Sequence, residues 1–209
     1  LITLDLDDAT AFVYLRIGEC YEKLENFDEA ISYYKKAVHE DPFLDKGWVT
    51  LSNIYYQSEN YQKAAYYISK AIKIEEHSAT YWRRYSEINL KLNFYEEAIT
   101  GFQKCLALED HCLENFIGLS DVLSFLGEFN HAMNILTKAQ RIHKNTAEVE
   151  YRLTGLFFIL NKEQYAITHL VTAMKIDYDY HIVLKELYPL VYENPRIQKL
   201  LSDYKKATE

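Results

Sequence analysis

Residues 11–44 read AFVYLRIGECYEKLENFDEAISYYKKAVHEDPFL, and the placing of small and large side chains in this stretch decides the fold. Tyr14, Ile17, Gly18 and Tyr21 fall on one stripe at about 3.6 residues per turn, and Ala30, Tyr34 and Ala37 fall on a second. Between them stand the turn-type residues Glu25 and Asn26, then Phe27, an aromatic placed to plug the open end of a helical hairpin. The pattern predicts two antiparallel helices. Gly18 and Ala30 let their axes approach to about 8–9 Å, whereas a Leu at either position would hold the backbones apart.

The arrangement recurs downstream. Ala30, Ala64, Ala98, Ala132 and Ala166 stand at a constant spacing of 34 residues. Numbering each unit so that this alanine is position 20 gives repeats 11–44, 45–78, 79–112, 113–146 and 147–180. Position 8 reads Gly18, Ser52, Ser86, Ser120 and Thr154; position 27 reads Ala37, Ala71, Cys105, Ala139 and Ala173. Bulky residues hold position 24 (Tyr34, Ile68, Phe102, Leu136, Leu170) and position 4 (Tyr14, Trp48, Trp82, Phe116), where Glu150 is the exception. Ordering one such hairpin costs on the order of 50 kcal/mol, more than its own two-helix contact returns. Stacking in register supplies the rest, which predicts an all-α solenoid of helix hairpins forming a single domain.

These columns follow the pattern W-x2-L-G-x2-Y, A-x3-F, A and P, shown most fully by Tyr14, Ile17, Gly18, Tyr21, Ala30, Tyr34, Ala37 and Pro42. The chain therefore resembles the tetratricopeptide repeat (TPR) family over nearly its whole length. Asn89 and Glu150 depart from it where aromatics are expected, and Glu163 stands where the hairpin plug belongs. The resemblance implies a right-handed TPR superhelix with a concave groove lined by positions 2, 5, 6, 9, 12 and 13 of each first helix. Residues 1–10 read as the C-terminal half of a preceding repeat helix. Residues 181–209 read as a degenerate sixth repeat and capping helix: Leu184, Leu187 and Val191 on a first helix that Pro189 interrupts, then Ile197, Leu200, Leu201 and Tyr204 on a second.

Composition narrows the function. Asp and Glu total 31 against 23 Lys and Arg, a formal charge of -8, so a phosphate backbone meets net repulsion and nucleic acid is excluded as a partner. The longest apolar run, Leu153 to Leu160, falls far short of the roughly 20 residues of a membrane-spanning helix. Cys20, Cys105 and Cys112 form no C-x-x-C pair, which fits a reducing compartment and predicts a cytoplasmic protein. Cys20 and Cys105 are expected as buried packing residues. His77, His111 and Cys112 are the best metal candidates, yet read more simply as solvated loop residues. No phosphate-cradling loop, H-E-x-x-H or G-x-S-x-G occurs, so the reading is not an enzyme, with no cofactor and no metal.

The groove positions carry the expected binding residues: Arg16 and Glu19 in the first repeat, Asn53 and Tyr56 in the second, Arg83, Arg84 and Glu87 in the third, Phe125 in the fourth, and Tyr151, Arg152 and Phe158 in the fifth. Arg16, Arg84 and Arg152 share position 6 in alternate repeats, separated by the short Thr50 and Gly118, as a rail for carboxylates would. The competing reading pairs them with Glu19, Glu87 and Glu148. No three successive repeats match the clamp by which some TPR domains hold chaperone C-termini. The expected function is a non-catalytic scaffold binding a peptide or helix of a partner protein. The alternatives are a homo-oligomer built through the N-terminal half-repeat, and a regulatory or substrate-docking arm of a longer enzyme.

Overall fold

The computed structural model describes residues 6–208, and among these no strand occurs. They form two compact units, which meet in the sequence between Glu109 and Asp110. The first holds α1 (Leu6–Lys23), α2 (Phe27–Glu40), α3 (Asp45–Gln57), α4 (Tyr61–Ile74), α5 (Ala79–Lys91) and α6 (Tyr95–Leu108). The second holds α7 (Leu113–Phe125), α8 (Phe129–Ile142), α9 (Ala147–Ile159), α10 (Glu163–Ile176), a 3-10 turn at Asp179–His181, α11 (Ile182–Leu187), α12 (Pro189–Tyr192) and α13 (Pro195–Thr208). Each first helix packs on the second helix of its own hairpin, and in the first unit α2 packs on α3 and α4 on α5.

The small-residue columns explain this packing. Ala30, Ala64, Ala98, Ala132 and Ala166 are all 0% exposed, each at the crossing of its hairpin. A Cβ at Gly18 would meet the ring of Tyr34, so that position is closed to any larger residue. Ser52 is fully buried and donates from Oγ to the carbonyl of Ala64 at 2.9 Å, tying the two helices of its hairpin together. Tyr34 is buried and donates to Glu22 at 2.6 Å; burial first, then that carboxylate, hold its phenol well above the usual range.

Each hairpin turns through one left-handed residue at position 15: Glu25, Glu59, Asn93, Gly127 and Asn161, with φ of 58, 58, 60, 80 and 56°. The next residue's N–H then reaches back five residues, as in Asn26 to Tyr21 at 2.9 Å and Asn60 to Tyr55 at 2.8 Å, capping the first helix. Asn26 and Asn60 in turn accept from Glu29 and Lys63 N–H groups and start the second helices.

Three expectations need correction. Residues 6–10 continue into α1 without a break, rather than closing a separate preceding helix; no Pro or Gly interrupts the chain between Leu6 and Ile17. Residues 1–5 lie outside the described residues. Cys20 is exposed rather than buried; Cys105 is buried, its thiol 3.2 Å from the Ala79 carbonyl. Leu187 is 41% exposed rather than packed, since α11 stops there.

The departure at position 4 is resolved by hydrogen bonding. In the first unit Trp48 stacks on Tyr67, with ring centroids 6.0 Å apart, and Tyr67 on Tyr55 at 5.4 Å. At the corresponding positions of the second unit Glu150, 5% exposed, accepts from Gln140 at 2.7 Å and pairs with His169 at 2.6 Å. His169 stacks on Phe157 at 4.9 Å, as Tyr67 does on Tyr55. A carboxylate can replace an indole in the core here because both its oxygens find partners.

Candidate functional site

The inner positions of the first helices behave differently in the two units. In the first unit Arg16 lies at the surface and pairs with Glu19 at 2.7 Å, one turn along α1. Arg84 repeats the arrangement on α5, with Glu87 at 2.7 Å. Its guanidinium also lies 4.8 Å from the ring centroid of Tyr56 on α3, so α3 and α5 share this surface. Tyr56 is held edge-on by Tyr61 at 5.5 Å. The amide oxygen of Asn53 is buried with no hydrogen-bond partner. Arg83 is half-buried beside them. The short Thr50 directs its hydroxyl back to the carbonyls of Lys46 and Gly47, leaving the space between Arg16 and Arg84 clear of a long side chain.

Arg16 and Arg84 therefore sit in local ion pairs. This is the pairing reading of the sequence, with both pairs reached by solvent and so weakened by screening.

In the second unit two expected groove residues are sealed. Tyr151 is 0% exposed and donates its hydroxyl to the Tyr178 carbonyl at 3.2 Å. Arg152 is 7% exposed; it bonds Glu148 at 2.9 Å and also pairs with Asp121 of α7. Neither is available to line an open groove. Phe125 remains exposed and Phe158 half-buried.

Tyr151 is closed off by the turn that carries Tyr178, and Arg152 lies beside a second residue of the later chain, Tyr188. Pro189 lacks an N–H and cannot continue α11, so the chain kinks between α11 and α12 and Tyr188 becomes 7% exposed. Its ring lies against Gly155 on α9, where a Cβ would fall inside it. Ser124, Arg152 and Asp121 surround its hydroxyl. Burial pushes the Tyr188 phenol up to about 12 and also pushes the Asp121 carboxyl up, against the pull of Arg152. Asp121 and Ser124 of α7 and Arg152 and Gly155 of α9 thus have Tyr188 of the chain itself as their neighbour. Sequence reasoning missed Tyr188, although Gly155 was a signal: a glycine inside a helix costs about 1 kcal/mol against Ala, and it stood where other repeats carry Glu, Asn or Asp.

No cluster of three metal-ligating side chains occurs among the described residues, and none of their helices is long and apolar enough to cross a membrane.

Comparison with known proteins agrees with this architecture. The tetratricopeptide repeat family profile matches residues 11–44 and again residues 45–78. No curated protein matches the sequence. The structure of YrrB, a TPR protein with an unusual peptide-binding site, superposes with a TM-score of 0.72 at 18% identity, over 84% of this chain and 91% of that one. MamA gives 0.74 at 20% identity over 86% and 95%. MamA 41-end from Desulfovibrio magneticus RS-1 gives 0.70 at 15% identity over 81% and 96%. At these identities the likeness shows the fold. Residues 11–78 are thus two tetratricopeptide repeats, and the fold is the stack of all-α hairpins found in tetratricopeptide repeat proteins.

Proposed function

We propose that this protein is a non-catalytic scaffold whose inner face on α1, α3 and α5 binds a segment of a partner protein. One observation carries the reading: three consecutive first helices present Arg16 with Glu19, the ring of Tyr56, and Arg84 with Glu87 on positions that hairpin packing does not use. Solvent-reached ion pairs are groups whose guanidinium gains by meeting a peptide's carboxylates. Tyr151 and Arg152 are left out of this site because both are buried, the first against the Tyr178 turn and the second in ion pairs beside Tyr188.

Peptide-display selection against the protein, followed by calorimetry on the selected sequences, tests this. Arg16→Glu with Arg84→Glu is expected to weaken the selected peptides at least tenfold without moving the melting temperature. Unchanged affinity would count against the inner face as the site.

A second reading, self-association, is favoured by the exposed apolar side chains of α1. Phe12 is 50% exposed, Val13 55% and Leu24 74%, and Phe12, Val13, Arg16, Ile17 and Cys20 line a shallow cavity of about 300 Å³. A molecular mass by light scattering that rises with concentration, and falls back in Val13→Glu, would support it. A constant monomer mass would exclude it.

A further inference from the structure

The turn between α2 and α3 and the flank of α4 border an open cavity of about 440 Å³, lined by Lys35, Val38, His39, Pro42, Trp48, Tyr66 and Tyr67. Its size falls within the roughly 300–1,000 Å³ of typical ligand sites. Two rings make a corner: Tyr67 stacks on Trp48 at 6.0 Å, and Tyr66 meets Tyr67 edge-on at 5.1 Å and 79°. Trp48 donates its only N–H to the Pro42 carbonyl at 2.9 Å, which fixes the indole against the turn and leaves its face as wall. Tyr66 is 55% exposed, and Phe43, next to Pro42, is 80% exposed, a concentration of bare aromatic surface outside the hairpin core.

The charge of this cavity runs against that of the chain. The formal net charge is -8, yet no carboxylate is among the lining residues, which include Lys35 and His39. A further cation, Lys70, holds its Nζ 5.3 Å from the centre of the Tyr66 ring. The feature is no by-product of the repeat. One repeat on, the positions of Lys35, Pro42, Tyr66 and Tyr67 are Ser69, Glu76, Thr100 and Gly101, which supply neither the cation nor the rings.

We propose that this cavity binds an acidic peptide segment of a partner protein. One aromatic side chain seats against Trp48, Tyr66 and Pro42, and a neighbouring Asp or Glu carboxylate pairs with Lys35 and His39. A sugar fits less well, because its hydroxyl protons need strong acceptors and no carboxylate lines the cavity. The site is separate from the inner face and stands or falls apart from it.

Calorimetry on the full 209-residue chain tests the proposal, with a synthetic peptide of one Phe flanked by Asp and Glu, a second with Ala for Phe, and a third with Lys for the acids. The first is expected to bind, at least tenfold more tightly than the other two, and to weaken as salt is raised. Lys35→Glu with Tyr66→Ala should cost at least tenfold, and Arg84→Glu should change nothing. Lys35→Glu alone, an exposed charge reversal, carries the test should the double variant lose its melting transition. The proposal is overturned if the acidic aromatic peptide does not bind, if the Lys peptide binds equally, or if Arg84→Glu rather than Lys35→Glu removes binding.

Discussion

Arg84 and Arg152 occupy the same position of their repeats, each with a carboxylate on its own helix, yet their surroundings differ. Arg84 lies at the surface against Tyr56 and pairs with Glu87 alone. Arg152 is 7% exposed, bonded to Glu148 and Asp121 beneath the ring of Tyr188. The repeat determines where a side chain starts, and what later stretches of chain cover determines whether it can meet a partner. In the second unit the kinked segment from α11 to α12 has taken the place a partner would need.

The strongest way to break this contrast is to remove the plug. Tyr188→Ala is expected to destabilise the protein by about 3–4 kcal/mol in urea unfolding, as for other buried aromatic truncations. It should also make Arg152 accessible and leave Tyr151, held by the Tyr178 carbonyl, buried. Arg152→Ala comes next: it strands Asp121 and Glu148, which are partly solvated, so a loss of about 2–3 kcal/mol is expected. Arg84→Ala, the matched control, should cost under about 1 kcal/mol. Equal effects of the two arginine variants would erase the distinction.

Gly155→Ala sharpens it further, at about 1–3 kcal/mol, because the added methyl meets the Tyr188 ring. In a Tyr188→Ala background the same change should be nearly neutral, and the double-mutant cycle reads that coupling directly.

The smallest effect concerns alkaline pH. The Tyr188 phenol is pushed up to about 12 in the folded state, chiefly by burial. Against an unfolded value of about 10, its stabilising contribution is complete below pH ~10 and is lost as pH rises toward ~12. Tyrosinate absorbance should show one fewer late-ionising phenol in Tyr188→Phe.

The hairpins were legible because a spacing of 34 residues is a one-dimensional signal: Ala30, Ala64, Ala98, Ala132 and Ala166 each sit at a crossing that admits nothing larger. The local pairing of Arg16 with Glu19 and of Arg84 with Glu87 was legible too, because residues three apart on a helix share a face. Arg152 was misread because its burial depends on the direction the chain takes after Leu187, and no periodic pattern fixes a kink at Pro189. The exposure of Cys20 was missed for a related reason, since a column says which face a residue is on but not whether anything covers it. The Trp48 cavity was also hidden. Tyr66 and Tyr67 meet Trp48 across the boundary between α3 and α4 only once the hairpin is closed.

Oxidative footprinting of the intact protein by hydroxyl radicals, read residue by residue by mass spectrometry, tests the central claim most directly. Tyr66 and Phe125 should oxidise rapidly while Tyr151 and Tyr188 stay protected until the protein unfolds. Modification of Tyr151 and Tyr188 in the native state at the rate of Tyr66 would show that the inner face of α7 and α9 is open, and would contradict the account.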